Sequence, residues 1–445
     1  MKRRDFLRST AVAGTGMLIL PSGTRAGENA PSNKLNLALI GAYGRARAHY
    51  GVAGNENVVA LCDVHDGNMA HAASLWPAAK TYHDWRKLLD DKSLNLDAVI
   101  CCTTDHTHAF VATWALNRDL HIYLEKPIGI SVEESRIVRQ KYLEKKDKCA
   151  TQLGTQRHAF PNFPRLREMV RDGAIGNLKA AYAWGNRKLH RPGYPPAAGD
   201  PPPHIHYDLW IGPSPMHPYN PEYFSGKPGA NCLQWNPYWD FGTGQVGDMG
   251  AHTMDLAWNC LDAEHATAAT AKGDAFNPEV VPVKLEMHME HPANDWRGPI
   301  TVSWYQGGAM PNSPSRWLDL NRIAHGAMFR GEQGYIVADF QKRLWIPYGS
   351  EADMSYYDPR SDSERIPSIR GFQQEWIRAC KGDPTQTTCN FDYAGPANEQ
   401  MMLGLIAYRV GEKVEYDGKK GIVPNNEEAN ALIRREYRKG WVLDG

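Results

Sequence analysis

The chain has 445 residues, 42% hydrophobic and 22% charged, with 50 basic against 50 acidic side chains and a formal net charge of +0. This supports two ordinary globular domains and excludes a disordered or coiled-coil chain. A balanced charge offers no field to draw in nucleic acid or an anionic membrane, so neither is expected as a partner.

Residues 1–30 join Arg3-Arg4-x-Phe6-Leu7 to a weakly apolar stretch over 11–20 and small residues over 22–26, the layout of a twin-arginine export signal. Export to the periplasm is the expectation. Beyond this segment no apolar run approaches the roughly 20 residues that span a bilayer, so no membrane partner is expected after signal removal.

Residues 35–40 are a short apolar run ending in Gly41-Ala42-Tyr43-Gly44-Arg45-Ala46, after which the pattern turns helical. Strand, glycine turn and helix is the setting of a dinucleotide fingerprint, whose backbone amides receive a pyrophosphate. The fingerprint places glycines at 41, 43 and 46; here Tyr43 and Ala46 stand at the last two, with an extra Gly44. Tyr43 thus falls where backbone must approach the phosphates. The next apolar run, 57–63, ends in Asp63 about 20 residues after the turn, where a carboxylate holds the adenosine ribose. No arginine follows it, so NAD is expected over NADP.

Residues 96–103 read as a buried strand with Thr104-Asp105-His106-Thr107-His108 at its carboxyl end. Residues 120–124 are the next strand, delivering Glu125-Lys126-Pro127 to a ligand crevice, and 132–146 a helix with a solvated face. Strands alternating with helices predict an α/β fold, a Rossmann-type doubly wound parallel sheet over 34–155. A helix over 163–172 and a strand over 178–185 open a second domain, 156–445. Residues 191–237, rich in proline and aromatics, read as a long loop over the site. Asp248 and His252 are spaced to share one helical face. Strands follow over 283–289, 300–305 and 336–339, helices over 371–380 and 399–410, and a polar helix ending at 437. The eight cysteines show no CxxC pair, and His204-x-His206 has no third ligand in sequence, so no metal is expected.

Glu125-Lys126-Pro127, the Thr103–His108 stretch and Asp248-x-x-x-His252 together resemble the Gfo/Idh/MocA family of glucose-fructose oxidoreductases and inositol dehydrogenases. The resemblance implies an α+β second domain with a large open, mostly antiparallel sheet, C-terminal helices returning to the core, and a homo-oligomer formed through the exposed sheet face. It implies cofactor contacts from Gly41, Tyr43, Gly44, Arg45, Ala46, Asp63, Thr104, His106, His108, Glu125 and Lys126. A carbinol is oxidised when its hydride goes to nicotinamide and its hydroxyl proton to a base with a pKa near working pH. His252, ordinarily about 6.5, is expected as acid/base, Lys126 as the ammonium polarising the oxygen, and Asp248 as orienter or hydroxyl acceptor; family members differ on whether lysine or histidine takes the proton. Arg157, Tyr207, Asp208 and Trp239 are expected to contact a carbohydrate, whose rings stack on flat apolar faces. The implied activity is NAD(P)-dependent oxidoreduction of a sugar or sugar derivative with tightly bound NAD. A second reading is a glycosidase or lyase that oxidises, eliminates, adds and reduces back, recycling its NAD. A third, suggested by Tyr43, is a cofactor-free periplasmic sugar-binding protein.

Overall fold

Aliphatic runs of three to six residues alternate with helices from Leu35 onward and close into a six-stranded, all-parallel sheet. Its strands are β1 (Asn36–Ile40), β2 (Asn57–Cys62), β3 (Lys80–Tyr82), β4 (Ala98–Cys101), β5 (His121–Leu124) and β6 (Thr151–Leu153), in the order β3-β2-β1-β4-β5-β6. The order reverses between β1 and β4, the switch point at whose carboxyl side open α/β sheets bind ligands. The computed structural model describes residues 33–349 and 358–445; the expected export signal lies outside the described residues. Edge strand β3, too short and exposed to leave a sequence pattern, was not anticipated. The β1–β2 crossover is a 3-10 turn (Gly44–His49) and one helical turn (Tyr50–Ala53) rather than a long helix.

The second sheet has eight strands: β7 (Leu178–Gly185), β8 (Ala268–Gly273), β9 (Leu285–His291), β10 (Ile300–Gln306), β11 (His325–Gly331), β12 (Gly334–Ala338), β13 (Arg343–Pro347) and β14 (Val414–Glu415). They run in the order β13-β12-β11-β7-β10-β9-β8-β14, with β7 and β10 parallel and every other neighbour antiparallel. One face buries Met287, Met289, Trp304 and Phe329 against Met254, Leu256, Leu403 and Ile406 of two helices, Ala251–Trp258 and Phe391–Val410. The helix expected from 399 begins at Phe391, capped by the Asn390 side chain accepting from the backbone N–H groups of Asp392 and Tyr393, with Pro396 inside it. The polar helix expected to reach 437 is helical only over Glu427–Ala431.

The chain then returns to the first sheet. Phe372 and Trp376 of the helix Phe372–Cys380 pack with Leu37, Leu39, Ile100 and Tyr123. Trp441 and Leu443 join Trp85, Phe110 and Leu116 beside the helix Asp105–Asn117. Trp114 Nε1 donates to the Val442 carbonyl at 2.9 Å, and Arg86 lies 4.0 Å over the Trp441 ring. Among the described residues no helix is long and apolar enough to cross a membrane.

Candidate active site

A cleft of about 450 Å³ opens where the carboxyl ends of β1, β2, β4 and β5 face the second sheet domain. Its floor is the turn after β1. Gly41 has φ +77°, and a Cβ there would stand 2.6 Å from the Cys102 carbonyl oxygen, so only glycine lets the turn pass β4. Gly44 also has a positive φ, +61°. Tyr43 lines the cleft, but its ring packs edge-on against His71 at 4.8 Å with Arg47 over it at 5.5 Å. At the end of β2 the Asp63 carboxylate accepts from the His65 backbone N–H at 3.0 Å and from Asn68 Nδ2 at 3.3 Å. Burial pushes Asp63 up to about 6, against those two hydrogen bonds. Glu125 is the opposite case: burial would raise it, but His49 and Arg45, each 2.8 Å away, pull it down to about 2. These features fit a dinucleotide: a turn with positive-φ glycines at 41 and 44 and the Tyr43 ring packed on His71, and a placed carboxylate one strand over with no basic group bound to it.

A segment of the 191–237 loop covers this floor. A Cβ on Gly44 would meet Asn231 Oδ1 at 3.7 Å and the Gly229 amide at 3.8 Å, and Gly229, Ala230, Asn231 and Cys232 all line the cleft.

The reactive end is assembled from three elements. Lys126, two residues past β5, donates to Asp248 Oδ1 at 2.8 Å, and Arg187, two residues past β7, reaches Asp248 Oδ2 at 2.5 Å. Burial opposes the Lys126 charge, yet Asp248 more than offsets it and the ammonium is held above its ordinary value. Asp248, itself buried, is lowered by Lys126 and Arg187 despite that burial. Asp248 sits in a π-turn, Val246–Gly250, with the Gly250 N–H donating to the Gln245 carbonyl at 2.8 Å, a geometry that recurs at functional sites. Gly247 makes room for it: a Cβ there would lie 2.3 Å from Thr243 Oγ1 and 3.3 Å from Pro127 Cγ. His252 follows on the helix Ala251–Trp258, 5% exposed, with Nδ1 buried and unpartnered. Asp105 completes the cluster, pushed up to about 8 by burial and by Asp248 and Glu125 against the Lys126 charge.

Several expectations are corrected. Burial, then Lys126 and Arg157, push His252 down to about 3, so it is a neutral imidazole through the neutral range and not a base poised near 6.5. His106 does not reach the cleft: its ring is fully buried, with Nε2 3.0 Å from the Trp210 carbonyl and Nδ1 3.3 Å from that of Phe241. His108 lines the cleft with its ring nitrogens 2.7 Å from the Pro127 carbonyl and 3.1 Å from that of Thr103, its single N–H donating to one of them beside the Lys126 loop. Ala46 is buried within the 3-10 turn. Of the expected substrate contacts only Arg157 lies in the cleft. The Tyr207 hydroxyl donates to the carbonyls of His217 and Pro218, Asp208 pairs with Arg438, and Trp239 donates to the Asn277 carbonyl at 3.0 Å beneath Arg409. Aromatics there close the loop on itself. Gly41, Tyr43, Gly44, Arg45, Asp63, Thr104, Glu125, Lys126, Asp248 and His252 do come together. Arg187, Asp105 and Cys232 join them unannounced; only Asp105 carried a signal, lying inside the Thr103–His108 stretch.

Residues 35–154 match a family model described as an oxidoreductase family, NAD-binding Rossmann fold, and residues 180–290 its C-terminal alpha/beta domain. Inositol 2-dehydrogenase of Salmonella typhimurium is 29% identical over 144 residues, 32% of this chain and 41% of that protein. Myo-inositol 2-dehydrogenase of Thermotoga maritima is 27% identical over 118 residues, 26% of this chain and 34% of that protein. The chain thus spans less than half the length of these curated relatives. Among solved structures, the WlbA dehydrogenase from Bordetella pertussis in complex with NADH and UDP-GlcNAcA superposes with a TM-score of 0.59 at 13% identity, covering 86% of this chain and 99% of that one. An aldose-aldose oxidoreductase from Caulobacter crescentus gives 0.54 at 14% identity, with the same coverage, 86% and 99%.

Proposed function

Because the chain belongs to the Gfo/Idh/MocA oxidoreductase family, we propose that it oxidises or reduces a carbinol or carbonyl carbon of a sugar or sugar derivative, using NAD rather than NADP. When bound, the nicotinamide supplies the hydride acceptor or donor. The observation that carries the reading is the convergence of Lys126, Asp248 and His252 at one end of a cleft whose other end is the Gly41 turn and Asp63. Lys126, kept charged by Asp248, stabilises developing negative charge on the substrate oxygen. His252, which lines the cleft and is held neutral by burial and by Lys126, accepts a hydrogen bond from a substrate hydroxyl and orients it toward the ammonium. Arg187 and Asp248 fix the ammonium rather than the imidazole, which makes Asp248 a positioning residue for Lys126.

A second reading, a glycosidase or lyase that recycles its NAD, is favoured by the segment over Gly44, since a covered dinucleotide exchanges slowly and suits a redox-neutral cycle. Export through a twin-arginine signal and self-association through the open sheet face belong to the same proposal. Native mass spectrometry of the purified chain tests it: copurified dinucleotide is expected, and a protein that neither carries nor takes up dinucleotide would refute it. With glycosides and cyclitols as substrates, NADH accumulation identifies the plain oxidoreductase, and product release without it the recycling enzyme.

A further inference from the structure

Three side chains distant in sequence converge on the rim of the cleft, apart from the hydride-transfer cluster. Asp66 opens the helix Asp66–Leu75, His83 follows β3, and His206 lies on the covering loop just before the helix Tyr207–Ile211. Asp66 Oδ1 stands 3.5 Å from His83 Nε2 and 3.3 Å from His206 Nε2, and one ligand atom from each of the three lies within 4.8 Å of the others. The two imidazoles are stacked, with centroids 3.7 Å apart and planes 22° apart.

Two ligand atoms each bound at about 2.0–2.1 Å to a tetrahedral ion stand about 3.3–3.4 Å apart. The two edges to Asp66 match that spacing, whereas a charge-assisted hydrogen bond would close to about 2.7–2.9 Å, and the stacked rings fan apart when both Nε2 atoms meet one ion. The tautomer of His83 points the same way. Its Nδ1 lies 2.8 Å from the Asp63 carbonyl oxygen, which only accepts, so Nδ1 bears the hydrogen. In the neutral ring the Nε2 lone pair faces the Asp66 carboxylate, two acceptors with a cation's place between them, whereas a protonated ring would donate there instead. An outer bond from ring N–H to a backbone carbonyl is how ligating imidazoles are oriented.

We propose that Asp66, His83 and His206 bind a divalent first-row transition ion, with zinc as the reference case and a fourth position open to water or ligand. Two imidazoles and one carboxylate favour such ions over calcium or magnesium. The side chains of Asp66, His83 and His206 are 52%, 39% and 35% exposed, so the ion enters and exchanges from solvent. The site fastens the covering loop to the end of β2, where backbone bonds already run from the Asp66 N–H to the His204 carbonyl at 3.0 Å and from the His206 N–H to the Val64 carbonyl at 2.8 Å. Metal binding here does not depend on which reaction the cleft performs.

The test uses the untagged full chain, stripped with EDTA and titrated with zinc by calorimetry and with cobalt by visible absorption. One equivalent of zinc is expected, with ligand-field bands of tetrahedral cobalt and a rise in melting temperature on adding zinc. His83→Ala and His206→Ala, both partly exposed and checked for folding by their melting in EDTA, are expected to weaken binding at least about tenfold and to abolish that rise. His204→Ala, whose ring packs on His65, is expected to leave binding unchanged. The proposal is overturned by absent binding, or by undiminished affinity in His206→Ala. It is equally overturned by thiolate-to-cobalt bands, which would place the ion at a buried set such as His158, Asp255 and Cys389.

Discussion

Asp105 holds a carboxyl group in a charge state that an exposed aspartate never adopts near neutrality. With its pKa pushed up to about 8 from an ordinary 3.8, the folded chain keeps a proton that the unfolded chain has released over that interval. The stability this confers is complete below the unfolded value and is lost as pH rises through about 8. Asp105→Asn, which cannot ionise, should therefore gain melting temperature relative to the parent as pH goes from 5 to 9 in the dinucleotide-free protein. A difference that stays flat across that range would show Asp105 to be ionised throughout. His252 has the reverse shift, and its pKa of about 3 removes it from the titration window. In the cofactor-saturated enzyme the pH profile of kcat should show no acid limb near 6.5. An acid limb there that vanishes in His252→Gln would restore the poised-base role. Lys126, Asp248 and His252 were legible because each sits in a spaced motif, whereas burial and neighbouring charge, which set what they can do, have no trace in spacing. Arg187 has no motif and is found only through its ion pair with Asp248.

The element that sets the site's geometry is the π-turn Val246–Gly250, whose approach to the Lys126 loop depends on Gly247. Gly247→Val must push on Thr243 and Pro127 and so separate Asp248 from Lys126. Turnover is expected to fall on the order of tenfold to a hundredfold while dinucleotide occupancy by native mass spectrometry is retained. Loss of the dinucleotide instead would mean that the turn supports the whole cleft rather than the pair. A regular helical face sufficed to suggest that Asp248 and His252 meet, but the extra residue in the turn is fixed by packing. The same contrast runs through the sheets. β1, β2, β4, β5, β7, β9 and β10 carry aliphatic runs or alternation. β8, with Ala268-Ala269-Thr270-Ala271, and β11, with glycines at both ends of its hydrophobic stretch, become strands through pairing with β9 and β7.

For the whole molecule the decisive contacts join residues far apart in sequence. Trp441, 8% exposed and stacked under Arg86, seals the Asp105–Asn117 helix from outside. Trp441→Ala should cost about 3 kcal/mol or more and lower the melting temperature by a few degrees, read by calorimetry. An unchanged melting temperature would mean that the tail only rests on the surface. The return to the core was expected from the resemblance, but not that Trp441 would be its contact, because a lone tryptophan in a polar stretch reads the same whether docked or free.

That docking inverts the order of manufacture and completion. The ribosome emits residues 35–154 before the covers of the apolar surfaces around Tyr123 and Phe110, which are Trp376 and Trp441. The nucleotide-binding half therefore cannot reach its final form while tethered mid-synthesis, as a self-contained amino-terminal domain would.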